Sequence, residues 1–248
     1  MDSTPELQDL NEAYQATAYA YNWPSLLVRQ GIAKVANLDR YTLPTNFRKA
    51  RTIKLNNAVL EEVELEFLKR SRGAYVIDQQ QNDVILYTVP SSASTAYTLS
   101  NAEVAGNAVT IELDTVTGLS TYDEIWIDSA AGTDEFTMVS SIDTTALTIT
   151  ARLKSAKSAA DILYRQDDII DLNYYRRVTL LSATGDTMLL PQAVDYIVVL
   201  YAAYLAYLRL EMYNEATMML NSWKEQLAEA WRQSGKSSTG AVTSFSIA

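Results

Sequence analysis

The sequence predicts an α+β protein. A helical bundle of two N-terminal and two C-terminal helices accompanies a small antiparallel sheet and an inserted small β-sandwich or barrel module. Three observations predict this. Apolar residues near both ends of the chain recur at alternating spacings of three and four, the helical period. Residues 74–89 and 171–180 alternate apolar with polar side chains, the period of a half-buried strand. Residues 98–168 carry short strand-like runs about ten residues apart, the rhythm of a small β module. That stretch holds twelve Asp/Glu and four Lys/Arg, a net of −8 within a chain total of −10.

The first helix opens with Ser3 or Thr4 as its cap, Pro5 in the first turn and Glu6 favouring the helix dipole. Leu7, Leu10, Tyr14, Thr17 and Tyr21 share one face, and Pro24 limits the helix. A second helix is predicted over 25–36 from Leu26, Leu27, Val28, Ile32 and Val35. In residues 41–53, YTLPTNFRKARTI, Leu43-Pro44 forces an extended exit. Phe47 supplies an apolar anchor there, and Arg48, Lys49 and Arg51 form a basic cluster. Arg51–Leu55 reads as a strand, and Leu60–Lys69 as a strand or turn leading into a helix from Glu64. Ala74–Asp78 and Asp83–Val89 read as a hairpin. Pro191 opens a third helix that is apolar almost all round to Leu208. After a break at 211–214, a fourth carries Met219, Leu220, Trp223, Leu227, Ala230 and Trp231 on one side. The expected organisation is 1–97 plus 169–233 as a helical/β core, 98–168 as an acidic β module and 234–248 as a flexible arm.

The chain has no cysteine and no histidine. Disulfide frameworks, thiol chemistry, Ser-His-Asp triads and His-zinc sites are therefore excluded. No phosphate-binding glycine loop occurs. Asp123, Glu124, Asp128, Asp134 and Glu135 lie close in sequence but lack EF-hand spacing, and they read as the solvent face of half-buried strands. No catalytic, cofactor-binding or metal-binding residue is expected. A net charge of −10 opposes general binding to nucleic acid. The longest apolar run, Tyr196–Leu208, falls short of the roughly 20 residues of a membrane span. The acidic, polar start MDSTPELQDL lacks the features of a secretory signal.

A helix apolar on every face must be covered on every face. The expectation is that Tyr196, Tyr201, Tyr204 and Tyr207 help pack the third helix against its own chain on one side and a neighbouring subunit on the other, since tyrosine is enriched at interfaces. In the C-terminal arm, Val242, Phe245 and Ile247 suit a strand added to another chain's sheet edge.

The order of segments carries a resemblance. LPTNFRKARTIKLNN is followed by LEEVELEFLKRSRG and YVIDQQQNDVILYTVP; after the insert come LNYYRRVTLL and a closing apolar helix pair. This resembles the head–tail adaptor proteins of tailed bacteriophages over about 1–97 and 169–233. The resemblance implies a non-enzymatic virion protein made in the host cytoplasm. It implies a homo-oligomeric ring, dodecameric in the family, which binds the portal above and a tail, nozzle or stopper protein below. DNA would pass through the lumen without sequence-specific contact. Two other classes fit the residues: a surface- or carbohydrate-binding module reading through the β insert, and a histidine-free carboxylate hydrolase.

Overall fold

The computed structural model describes residues 5–64, 73–182 and 186–234. Among them are three α-helices and fourteen strands arranged in three sheets, so the chain is mostly β. This corrects the expected four-helix bundle. Two compact units are present: Met1–Val28 with Asn46–Lys49 and Tyr175–Ala248, and Arg29–Thr45 with Ala50–Tyr174.

The first unit packs α1 (Pro5–Ala20), α2 (Asp195–Arg209) and α3 (Tyr213–Ser234). Its core joins Ala13, Tyr14, Ala18, Trp23, Ile197, Val198 and Leu227. Thr17 sits at its centre: its carbonyl accepts the Trp23 indole N–H at 3.0 Å and its hydroxyl accepts that of Trp223 at 3.1 Å. Both indole donors are thereby satisfied within an apolar layer, as buried polar groups require. Tyr21 stacks on Trp231 at 5.0 Å, and Trp23 meets the same ring edge-on at 5.7 Å. Pro5 begins α1 as expected, whereas the proposed caps Ser3 and Thr4 lie outside the described residues.

The second predicted helix, 25–36, is instead a short 3-10 turn, Pro24–Leu26, followed by strand β1 (Leu27–Ala33). The reason lies at alternate positions. Gly31 has no Cβ, and the Trp126 ring and Ile169 occupy the space one would need. Arg29, two residues earlier, lies over Phe136, and Ala33, two residues later, packs on the cluster of Trp126, Tyr164 and Ile169. Positions 29, 31 and 33 thus share one face with period two, a strand's geometry, and Gly31 also weakens a helix there.

The remaining strands are β2 (Arg40–Thr42), β3 (Phe47–Leu55), β4 (Ala58–Val59), β5 (Glu61–Glu62), β6 (Ala74–Asp78), β7 (Asp83–Leu86), β8 (Tyr97–Thr98), β9 (Gly106–Glu112), β10 (Glu124–Asp128), β11 (Glu135–Asp143), β12 (Thr148–Leu153), β13 (Ile162–Arg165) and β14 (Ile169–Arg176). One four-stranded sheet runs β1-β14-β3-β4 and another β2-β7-β6-β5. The β6–β7 hairpin closes through Asp78, whose carboxylate accepts the Gln80 and Gln81 N–H groups. The helix expected from Glu64 falls mostly outside the described residues.

The six-stranded sheet runs β8-β13-β10-β11-β12-β9 and curls on itself. The Ser100 N–H reaches the Glu112 carbonyl at 2.9 Å and the Asp114 N–H the Thr98 carbonyl at 3.0 Å, tying the two edges together. Register shifts at Val139/Ser141 and Ala151/Leu153 supply the bends that such curvature needs. Inside lie Leu99, Ile111, Leu113, Ile125, Ile127, Val139, Ile149 and Leu163.

The stretch 91–97, a small-residue linker in sequence, is held by hydrogen bonds. The buried Lys34 ammonium lies 2.8 Å from Asp168 and donates to Asn56 Oδ1 at 2.9 Å. Ser94 Oγ accepts the Lys34 N–H and donates to the Asp168 carbonyl, and Asp168 accepts the Thr95 N–H. The strands entering and leaving the curled sheet are thus clamped together. Burial pushes the Asp168 carboxyl up, but Lys34 and the Thr95 N–H outweigh it and hold it below its ordinary value. A depressed carboxylate stabilises the fold above its unfolded pKa of about 3.9, and that contribution is lost as pH falls through the lower folded value. Asp168→Asn should therefore flatten the fall in stability below about pH 4, measured by urea unfolding at stepped pH. An unchanged acid limb would mean that the clamp contributes nothing.

Candidate subunit interface

The antiparallel pair α2–α3 forms because α2 ends in a well-defined stop. Glu211 adopts φ 59, the left-handed region. Its N–H bonds the Leu208 carbonyl at 3.1 Å, and the Met212 N–H bonds that of Tyr207 at 3.0 Å. These two bonds make a Schellman motif and satisfy carbonyls that the helix end leaves free. The break expected at 211–214 is thus present, with a glutamate in the position where glycine is the usual sign.

Val194, Ile197, Val198 and Leu200 of the α2 segment are buried. Tyr196, Val199, Ala206 and Leu210 are exposed, at spacings that place them on one face. Tyr196 is 60 % and Leu210 66 % exposed; beyond the turn, Tyr213 is 65 % and Met218 64 % exposed. Tyr196, Val199 and Leu210 thus form an exposed apolar stripe on α2, and Met212 is exposed in the turn, whereas Leu208, nine residues after Val199, lies on the opposite side of the helix.

The four tyrosines expected at an interface therefore divide. Tyr196 is on the exposed stripe. Tyr201 packs inward, 4.8 Å from Trp223, and burial first, then Tyr204 and Glu12, push its phenol up. Tyr204 is half-buried with its ring edge-on to Tyr201 at 5.2 Å, and Tyr207 is half-buried. Val242, Phe245 and Ile247 lie outside the described residues. Val199, Leu210, Met212, Tyr213 and Met218 went unrecognised in sequence. For Val199 and Leu210 the signal was their helical spacing from Tyr196; Met212, Tyr213 and Met218 lie beyond the end of α2 and share no such period with it.

The basic cluster also divides. Arg48 donates to the carbonyls of Ala18 and Tyr21 and to Asn22 Oδ1 at 3.1 Å, closing the C-terminal end of α1. Burial lowers its pKa, and the rings of Tyr19 and Tyr175 flank it. Lys49, Arg51 and Arg177 are exposed.

Four of the five clustered carboxylates of the curled sheet are engaged separately, and Glu135 is buried instead of facing solvent as expected. Asp123 pairs with Arg165, Glu124 with Arg29, and Glu135 with Lys157, while Asp134 accepts the Ser129 N–H. Among the described residues no three of them converge as a metal site would require. A cleft lined by Arg29, Glu124, Phe136 and Lys154 is dominated by internal pairing, since the Arg29 fork is shared between Glu124 and the buried Asp171. Burial would lower the Arg29 pKa, but these two carboxylates raise it. Phe136 lies under Arg29 at 3.8 Å and stacks on Trp126, so its ring is not an open platform for a sugar. Among the described residues no helix is long and apolar enough to cross a membrane.

Neither a protein-family model nor a curated protein matches this chain.

Proposed function

We propose that this protein is a structural head–tail adaptor of a tailed-phage virion. It forms a ring beneath the portal, joins capsid to tail and lets DNA pass through its lumen. The observation that carries the reading is the exposed apolar stripe of α2, Tyr196, Val199 and Leu210, continued in the chain by exposed Met212 and Tyr213 at the α2–α3 turn. Large apolar side chains left open together on a helix are the mark of an interaction surface. The order of sequence segments supplies the family. The net charge of −10 suits a lumen that repels phosphate, and the commitment of Arg48 to the end of α1 removes one cation from any DNA-binding surface.

The test mixes full-length protein with purified portal rings and counts assembled collars in negative stain. Wild-type protein should form collars. Val199→Asp with Tyr213→Asp should reduce them at least tenfold, since burying unpaired charge costs several kcal/mol. Wild-type protein that binds only as single copies on separate portal subunits, or collars indifferent to both charges, would defeat the reading.

A further inference from the structure

Lys34, Asn56 and Asp168 belong to one compact unit and meet where β1 ends, β3 turns into β4 and β14 begins. The Lys34 ammonium lies 2.8 Å from Asp168 Oδ1 and donates to Asn56 Oδ1 at 2.9 Å. One amine thus touches both a carboxylate and a side-chain amide, with only 5 % of the lysine side chain exposed. Each group is held in place. The Lys34 N–H and carbonyl both bond Ser94. Asp168 turns its other oxygen to the Thr95 N–H at 2.6 Å, and its carbonyl accepts the Ser94 hydroxyl. Asn56 and Asn57, at φ 50 and φ 62, make a tight left-handed turn closed by the Leu55–Ala58 pairing. Buried Lys157 is a contrast. It meets the Glu135 carboxylate, the Ser155 hydroxyl and the Thr133 backbone carbonyl, none of them a side-chain amide.

We propose that Lys34 and Asn56 join in an intramolecular isopeptide bond, with Asp168 carrying the proton. One proton passes from the Lys34 ammonium to Asp168 Oδ1. The freed Nζ lone pair attacks Asn56 Cγ, about 1.2 Å beyond the oxygen it already touches. The carbonyl electron pair moves to Asn56 Oδ1, which takes the proton from Asp168. The carbonyl then re-forms and the Cγ–Nδ2 bond breaks. The Oδ1 proton and one from Nζ go with Nδ2, so ammonium leaves and Asp168 is a carboxylate again. No oxidant, reductant or co-reactant is needed. Moving a proton within a buried ion pair is cheaper than in water, because both ions have already given up hydration. Holding amine against amide replaces a bimolecular encounter, an advantage that reaches effective molarities of about 10⁵–10⁸ M. The product spans 22 residues of chain and ties the end of β1 to the β3–β4 turn, with β14 between them. Asp168 keeps the Thr95 N–H afterwards, and with it part of what holds its carboxyl low. The bond requires no neighbouring subunit, so it stands or falls apart from the ring reading.

Full-length protein is held at neutral pH, denatured and weighed intact by mass spectrometry, then digested with trypsin. Wild type should be lighter than its sequence by one ammonia, about 17 Da. Trypsin should fail to cut after Lys34 and should leave a branched peptide containing Lys34 and Asn56. Lys34→Met, Asp168→Asn and Asn56→Gly should each keep the full mass; glycine at 56 preserves the left-handed turn. Wild type at full mass, with normal cleavage after Lys34, would overturn the proposal. So would ammonia loss confined to one linear peptide, as when an asparagine cyclises on its own backbone. A branched peptide that persists in Asp168→Asn would overturn the role given to Asp168.

Discussion

Gly31→Ala is expected to destabilise the protein by about 3 kcal/mol or more, although alanine normally replaces a strand glycine at little cost or with a gain. The added methyl would sit well inside contact distance of two Trp126 ring carbons and 2.8 Å from Ile169 Cδ1. Trp126 cannot step aside easily. It is buried and stacked between Phe136 at 6.5 Å and Tyr164 at 5.5 Å. The expected fall in melting temperature is about 6–12 °C for a chain of this size. Urea unfolding followed by circular dichroism gives the free energy. A second change, Trp126→Leu, should make the methyl at position 31 far less costly, because the clash is with that ring. A Gly31→Ala variant as stable as wild type would mean that β1 does not lie against Trp126.

Lys157→Met is expected to cost about 3–5 kcal/mol, the loss seen when one partner of a buried ion pair is removed. The Lys157 side chain is fully buried and lies 3.2 Å from Glu135, which is itself nearly so. The ammonium also donates to Ser155 Oγ at 2.8 Å and to the Thr133 carbonyl. Glu135 accepts the Lys154 N–H, so its position is set by backbone as well as by charge. With lysine gone, a nearly buried carboxylate remains without its counter-charge. Combining Lys157→Met with Glu135→Leu should recover much of the loss, because two apolar side chains need no partner. Additive losses in the double variant would show that the lysine acts through packing and not through the carboxylate.

Much of the local structure was legible in the sequence, and the exceptions share a cause. Helices α1 and α3 follow from one-sided apolar spacing, α2 from Pro191 and the apolar run to Leu208, and the β6–β7 hairpin from alternation around 79–82. Segment 25–36 misled because Leu26, Leu27, Val28, Ile32 and Val35 satisfy a helical period by accident. The deciding feature, the Trp126 ring on Gly31, belongs to a partner far along the chain, and no local pattern reveals it. The candidate interface was half legible for a similar reason. An all-round apolar helix announces that something covers it, not which side its own chain covers. Only the packing of Tyr201 on Trp223 decides that Tyr201 turns inward while Tyr196 turns out. Arg48 reads as a free surface cation in sequence, whereas the carbonyls it bonds are set by the end of α1, outside its own segment.

The joined edges of the six-stranded sheet have a consequence for crowding. An open strand edge offers unpaired N–H and carbonyl groups and templates pairing with any strand that meets it, which is how β-rich proteins polymerise unintentionally. Here the Ser100–Glu112 and Asp114–Thr98 bonds occupy backbone groups where β8 and β9 would otherwise remain open. Twelve Asp/Glu against four Lys/Arg over 98–168 add mutual repulsion between copies of this module. Many copies can then be held at high local concentration with little tendency for these sheets to fuse into fibrils, leaving apolar side-chain contacts elsewhere on the chain to govern which surfaces meet.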